Sequence, residues 1–193
     1  MQQLLAIFFS TMIINNFVLA KMLGLCPFLG VTKKLETSLG MGMAVTFVIA
    51  VSGVISWIID KLILYPFDVI YLRTIVYILV IAALVQLVEM VMRKVSPVLY
   101  QALGIYLPLI TTNCVVMGVV LLILAKGYNF MEMLVYSIGA PIGFTLALII
   151  MAGIRENLAL AKIPRHFQGV PIALITTGIL ALAFLGFSGM IRE

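Results

Sequence analysis

The sequence predicts an all-helical integral membrane protein with six transmembrane helices, built as two inverted three-helix repeats whose first helices are interrupted. Of its 193 residues, 64% are hydrophobic and 10% are charged, and the mean hydropathy is +1.27. Soluble domains are about half apolar and about a quarter charged, so this composition excludes a soluble globule. Two further observations carry the prediction: the charges are separated by long apolar runs, and two of these runs contain matching motifs.

The apolar runs locate the helices, because a spanning helix needs about 20 mostly apolar residues. Stretches without Asp, Glu, Lys or Arg are 1–20, 39–59, 74–88, 95–125, 133–154 and 166–191. Transmembrane strands would instead show segments of about ten residues with alternating polarity. These runs are apolar all round, so we expect helices.

The basic residues predict how the chain is oriented in the membrane. With six crossings, the loops on one side carry Lys33, Lys34, Arg93, Lys94, Arg155, Lys162 and Arg165, and the other side carries Lys61, Arg73, Lys126 and Arg192. The positive-inside rule places the richer side in the cytoplasm and both termini outside. The formal charge of +5 is thus explained by topology, and it gives no reason to expect nucleic acid as a partner.

Two runs are too long for one simple helix. Residues 95–125 as a straight helix would be about 46 Å long, against a hydrocarbon core of about 30 Å. Pro108 lies in the middle of that run, and residues 1–32, in which Lys21 is the only charge, have Gly24 and Pro27 near their end. Because proline removes a backbone donor and disfavours helix in the residue before it, each run is predicted as a helix plus non-helical or re-entrant chain.

The two long runs also match each other. Cys26 and Cys114 both begin the pattern C-x-x-x-G-V, 88 residues apart, and the tripeptides at 38–40 and 137–139 match at a separation of 99. This predicts a duplication into halves 1–95 and 96–193, together one membrane domain. Because each half has an odd number of spans, the second half is inverted, and its interrupted helix should meet the first near the midplane.

The only two cysteines lie at the two interruptions. They can be small buried packing residues, and a disulfide is disfavoured at membrane depth. The third interpretation is metal ligation, with both sulfurs brought towards one axis by the repeat. Two thiolates supply half of the four ligands of a [2Fe–2S] cluster, so a second subunit would have to supply two more cysteines.

Several segments together resemble a known family, the A subunits of the Rnf complex. They are Asn15-Asn16-Phe17-Val18-Leu19, residues 23–31 around Cys26, Leu72-Arg73-Thr74, Ser96-Pro97-Val98-Leu99-Tyr100, residues 107–114 ending in Cys114, Ile154-Arg155-Glu156 and Phe187-Ser188-Gly189. The resemblance covers essentially the whole chain. The E subunit of the sodium-translocating NADH:quinone oxidoreductase is a paralogue that is similar at the cysteines, and it remains an alternative.

The resemblance implies a function and a cofactor. Rnf complexes are ion-translocating ferredoxin:NAD oxidoreductases of the bacterial inner membrane, and this chain would be a subunit that is not catalytic alone. In that family, homologous A and E subunits lie in opposite orientations and hold one [2Fe–2S] cluster between them with two cysteines each. The cluster would relay electrons through the membrane between cytoplasmic iron–sulfur carriers and flavins bound by other subunits. Carried over, the metal ligands are Cys26 and Cys114.

The surroundings of such a cluster follow from its negative charge. The candidates are Lys21, Pro27, Gly30, Thr112, Asn113 and Gly118. Lys21 would compensate charge that is costly in hydrocarbon, although a lysine at a helix end also reaches the interface on its own. Thr112, Asn113 and the amides around the glycines would donate to sulfur, or form ordinary interhelical hydrogen bonds. Asn15 and Asn16 are expected to serve packing.

A secondary transporter is the rival from another class, since inverted repeats with broken helices are common there. It predicts polar or charged residues that face a central cavity, whereas the breaks here offer cysteines. A passive assembly subunit, in which the cysteines do nothing, is a third interpretation. No phosphate-binding loop and no dinucleotide-binding fingerprint occurs in the sequence, and the Ser/Thr-Gly-Ala-Thr sequence that carries covalent flavin in related subunits is also missing. Neither NAD nor flavin is therefore expected in this chain.

Overall fold

The computed structural model describes residues 2–64, 72–95, 109–110 and 112–187, which form seven α-helices and no strand. The helices are α1 Gln2–Phe9, α2 Leu25–Val31, α3 Leu35–Ile59, α4 Arg73–Val95, α5 Cys114–Ala125, α6 Phe130–Leu160 and α7 Val170–Leu185. π-Helical turns at Ser10–Ile14 and Asp60–Leu64 extend α1 and α3, and a 3-10 turn lies at Arg165–Phe167. The helical class is confirmed.

Two helices are long and apolar enough to cross a membrane. They are Leu35–Leu62, with 28 residues, and Phe130–Leu160, with 31. Shorter apolar helices lie in the other predicted spans at Leu4–Ile14, Thr74–Leu87, Cys114–Ala125 and Val170–Leu185. The count of six crossings remains a prediction, and Pro108 lies outside the described residues.

The first apolar run is interrupted as predicted. Helix ends at Ile14, residues 15–24 are not helical, and α2 begins at Leu25. The side chain of Asn16 closes this turn: its Oδ1 accepts from the amide of Val18 at 3.0 Å, and its Nδ2 donates to the carbonyl of Gly143 at 2.7 Å. Non-helical backbone at membrane depth is tolerated only where protein buries and satisfies it, so Asn16 has the packing role expected of it.

Helices α3 and α6 pack closely and run antiparallel. A methyl group added to Gly42 would lie 2.5 Å from Cγ2 of Thr145, and one added to Gly53 would lie 2.7 Å from Oγ of Ser137. The contact positions therefore rise along α3 while they fall along α6. Small residues at such crossings allow the two backbones to approach.

An apolar groove of about 510 Å³ lies on the outer face of this helix pair. Its lining residues are Met43, Thr46, Phe47 and Ala50 from α3, and Ile142, Thr145, Leu146 and Ile149 from α6. Each residue from α3 has its counterpart 99 positions later on α6, at the same separation as the two matching tripeptides. The groove is thus lined by residue pairs with one constant separation in sequence.

Two residues of the smaller basic group, Lys61 and Lys126, lie near each other at one end of the bundle. Lys61 and Lys126 lie 6.0 and 5.6 Å from the ring centroids of Trp57 and Tyr128. These two aromatic residues share one end, because the indole N–H donates to the carbonyl of Tyr128 at 3.4 Å. Arg155 lies against the last residues of α2, next to the turn that carries the paired lysines. The assignment of the ends to cytoplasm and outside remains a prediction.

The π-helical turn that follows α1 contacts α6 at a glycine, which gives a stability test. A methyl group at Gly143 would lie 2.6 Å from the carbonyl oxygen of Met12, whereas one at Gly153 on the same helix meets none of the described atoms within 4 Å. We expect Gly143→Ala to destabilise the chain by about 1–3 kcal/mol, and Gly153→Ala to be neutral or stabilising by up to about 1 kcal/mol. Thermal unfolding in detergent measures both, and equal midpoints for the two variants would refute the contact.

Candidate functional site

The segments that carry the two cysteines meet at their helix caps. Gly24 is the residue before α2, with a φ of +78° that favours glycine, and Asn113 is the residue before α5. A methyl group added to Gly24 would lie 2.5 Å from Cγ2 of Val115 and 3.2 Å from Oδ1 of Asn113. The two N-terminal caps are therefore in direct contact, which brings together the two segments that the repeat predicted would meet.

Both thiols are free and exposed. Cys26 is the second residue of α2, and Cys114 is the first residue of α5. The sulfur of Cys114 lies 4.0 Å from the carbonyl oxygen of Thr112, a weak contact at most. The structure thus supports neither buried packing residues nor a disulfide, and it leaves two thiols accessible from outside the chain.

A buried amide group next to Cys114 has an unused donor. The Oδ1 of Asn113 accepts from the amide of Val115 at 3.1 Å and caps α5. The side chain is 3% exposed, and its Nδ2 has no acceptor among the described residues. A buried donor without a partner costs about 1–3 kcal/mol, so this position is suited to an acceptor that the described residues do not supply.

Two other predicted neighbours, Lys21 and Thr112, lie on the surface. Lys21 is exposed, and its Nζ lies 5.1 Å from the centroid of the Phe17 ring. Thr112 is exposed directly before the asparagine cap. Their predicted roles towards a cluster are untested by this arrangement, although both belong to the segments that carry the thiols.

Pro27, Gly30 and Gly118 have positions inside the two short helices. Pro27 is buried in the first turn of α2, where a missing N–H is tolerated. Only the first four amides of a helix lack an intrahelical acceptor. Gly30 is the sixth residue of α2 and Gly118 is the fifth residue of α5, so both glycines lie beyond those four amides. A methyl group at Gly118 would lie 2.9 Å from Cδ1 of Leu23, so this glycine also makes room for the interrupted segment.

Two structural features were missed by reasoning from the sequence. Arg155 appeared there only within a family motif and a basic loop, but its guanidinium contacts the end of α2. Asp60 is 7% exposed and accepts a hydrogen bond of 2.7 Å from the hydroxyl of the fully buried Tyr77, which links α3 to α4. A charge at the end of an apolar run was the only available signal for either residue.

These observations define a class: a helical membrane protein with an interrupted first helix that presents two free thiols from the first turns of two helices whose N-terminal caps are in contact. The family model described as "Rnf-Nqr subunit, membrane protein" matches residues 4–191. The chain belongs to this family, as the sequence resemblance predicted.

Curated relatives match over their whole length. The chain is 57% identical over 191 residues to the A subunit of the ion-translocating oxidoreductase complex of Syntrophotalea carbinolica, covering 99% of each chain. It is 54% identical over 192 residues to the protein of that name from Erwinia tasmaniensis, and 55% identical over 192 residues to that from Citrobacter koseri, covering all of each chain.

Proposed function

We propose that the chain is the A-type membrane component of an ion-translocating oxidoreductase complex of the Rnf type, located in a bacterial inner membrane. In this proposal Cys26 and Cys114 are half of the ligands of a [2Fe–2S] cluster, and a homologous E-type subunit supplies the other half. The observation that carries the proposal is the pair of exposed, free thiols on segments whose helix caps are in contact.

The donor set fits half of a cluster site. Such a cluster takes four thiolates, and the described residues contain no group of three or more His, Cys, Asp or Glu side chains that is suited to a metal. Cys26 and Cys114 would bind one side, and the buried Nδ2 of Asn113 would donate to an acceptor beside them. When bound, the [2Fe–2S] cluster would supply one-electron transfer at membrane depth. Hydrogen bonds of this kind also offset the cost of its charge in an apolar site.

The two-fold architecture belongs to the same proposal. The antiparallel pair α3 and α6, and the groove lined by residues 99 positions apart, support halves 1–95 and 96–193 as an inverted repeat. In that arrangement the caps before α2 and α5 are equivalent ends of interrupted helices from opposite halves. Each half then contributes one thiol to the site, as is typical of function located between inverted repeats.

The apolar groove on the outer face of α3 and α6 is not a site for a polar solute. Its only hydroxyl groups among the described lining residues belong to Thr46 and Thr145. Each donates to a carbonyl of its own helix, Gly42 at 2.7 Å and Pro141 at 2.8 Å. A polar substrate would need convergent polar groups, which this apolar surface does not offer. A redox subunit explains the exposed thiols, and a transporter does not.

Spectroscopy on the purified complex tests the proposal. We expect the complex with the double variant Cys26→Ala/Cys114→Ala to lose one [2Fe–2S] signal in electron paramagnetic resonance and about two iron atoms relative to wild type. Subunit composition by mass spectrometry is the control for assembly. Unchanged iron and an unchanged spectrum in a fully assembled complex would exclude the cluster. Solute transport by the chain alone in vesicles would favour the transporter.

A further inference from the structure

The helix that carries Cys26 is too short to fix its own position. α2 has seven residues and follows ten residues without helix. Isolated helices shorter than about 12–15 residues are marginal even in favourable sequences. The place of Cys26 relative to Cys114 therefore depends on what contacts the two ends of α2.

At the C-terminal end of α2, local side chains satisfy several carbonyl groups. The hydroxyl of Thr32 donates to the carbonyl of Phe28 at 2.6 Å, and that of Thr37 donates to the carbonyl of Val31 at 2.9 Å. These bonds connect α2 to its own continuation into α3. They do not connect it to the half of the chain that carries Cys114.

Arg155 connects α2 to a distant part of the chain by hydrogen bonds. Its Nη1 donates to the carbonyl of Leu29 at 2.7 Å and to the hydroxyl oxygen of Thr32 at 3.0 Å, across 126 and 123 residues of sequence. The hydroxyl that receives this bond belongs to a fully buried residue. Arginine suits the position, because its guanidinium is always charged, and its positive charge is favourable near the C-terminal carbonyls of a helix.

Helix α6 contacts both ends of α2. At the N-terminal end, a methyl group added to Gly24 would lie 3.1 Å from Cε2 of Phe144, and at the C-terminal end Arg155 binds the helix carbonyl. These two residues of α6 are 11 positions apart, about 16 Å along a helix. The long helix α6 thus contacts the short one at its two ends, and the helices α3 and α7 also lie against α2.

We propose that Arg155 is a positioning residue that fixes α2 against α6 and thereby sets the position of Cys26 relative to Cys114. The effect of Arg155 on a cluster held by Cys26 and Cys114 rests on the proposed function. Arg155 acts through the backbone of α2, and it is not a ligand.

The experiment compares the purified complex containing wild-type chain, Arg155→Gln or Arg155→Lys. Arg165→Gln is the matched control, since Arg165 is exposed in the turn that follows α6.

Hydrogen exchange of the amides of residues 25–34 reports on α2 without reference to a cluster. A hydrogen bond from a charged group is worth about 1.5–3 kcal/mol, so Arg155→Gln should speed this exchange about 10- to 100-fold, with partial rescue by Arg155→Lys. The g-values and reduction potential of the [2Fe–2S] signal provide the second readout.

The outcomes separate the two proposals. Faster exchange in α2 together with a shifted or lost [2Fe–2S] signal, and neither change in Arg165→Gln, supports Arg155 as a positioning residue. Unchanged exchange overturns it, and faster exchange with an unchanged spectrum and potential also overturns it, because the role is then only structural. If the wild-type complex has no signal that depends on Cys26 and Cys114, the proposed function fails. Exchange alone then decides whether Arg155 fixes α2.

Discussion

Replacing either Cys26 or Cys114 with alanine is expected to reduce ferredoxin-dependent electron transfer by the assembled complex to background. Both side chains are free and exposed, so each substitution removes a thiol without creating a cavity in the core, and stability should change little. Two ligands of one group act as a unit, and the effects of such residues are strongly non-additive. The double variant should therefore be no worse than either single variant.

This prediction is checked with steady-state electron transfer and ion uptake in vesicles containing each purified complex. Met43→Ala is the control, because Met43 is 66% exposed on α3 and belongs to neither of the segments that carry the cysteines. Full activity in one single cysteine variant would contradict shared ligation. Ion uptake that continues without electron transfer would separate the translocation path from these thiols.

Composition and charge spacing were sufficient to predict the helical class, the membrane environment and the interruption of the first helix. These predictions depend only on residues close in sequence. Runs without charge predict helices, and Gly24 and Pro27 mark where the first run ends. Pro27 proved to belong to the first turn of α2, with the break before it. Asn16 shows where such reasoning stops, because its bond to Gly143 joins positions 127 residues apart.

The candidate site was predicted in its residues but not in its geometry. Cys26 and Cys114 stand out because the chain has only two cysteines, and the repeat predicted that their segments would meet. The exposure of both thiols and the unused donor of Asn113 depend on tertiary packing. No pattern in the sequence indicates that Arg155 binds α2, since an arginine at the end of an apolar run equally predicts a solvated helix end.

The contact between the two caps leads to the second large expected effect, on Gly24→Ala. Gly24 has a φ of +78°, and a methyl group there would lie 2.5 Å from Cγ2 of Val115. The left-handed conformation alone costs a residue with a side chain about 1–2 kcal/mol, and the overlap adds about 1–3 kcal/mol. We expect a large fall in the thermal midpoint of the complex, together with loss of the [2Fe–2S] signal, because the two cysteine segments can no longer pack together.

Gly127→Ala separates the conformational cost of a side chain at positive φ from the cost of the overlap with Val115. Gly127 also has a positive φ, +63°, but a methyl group there meets no atom of the described chain within 4 Å. Gly127→Ala should therefore lose only the stability that the positive φ costs, and the complex should keep the [2Fe–2S] signal. Adding Val115→Ala to Gly24→Ala removes the methyl group at 2.5 Å and should restore part of the signal, because the remaining neighbours of Gly24 lie at 3.1 Å or more. If Gly24→Ala and Gly127→Ala lose equal stability and both keep the signal, contact between the caps does not determine the relative position of the thiols.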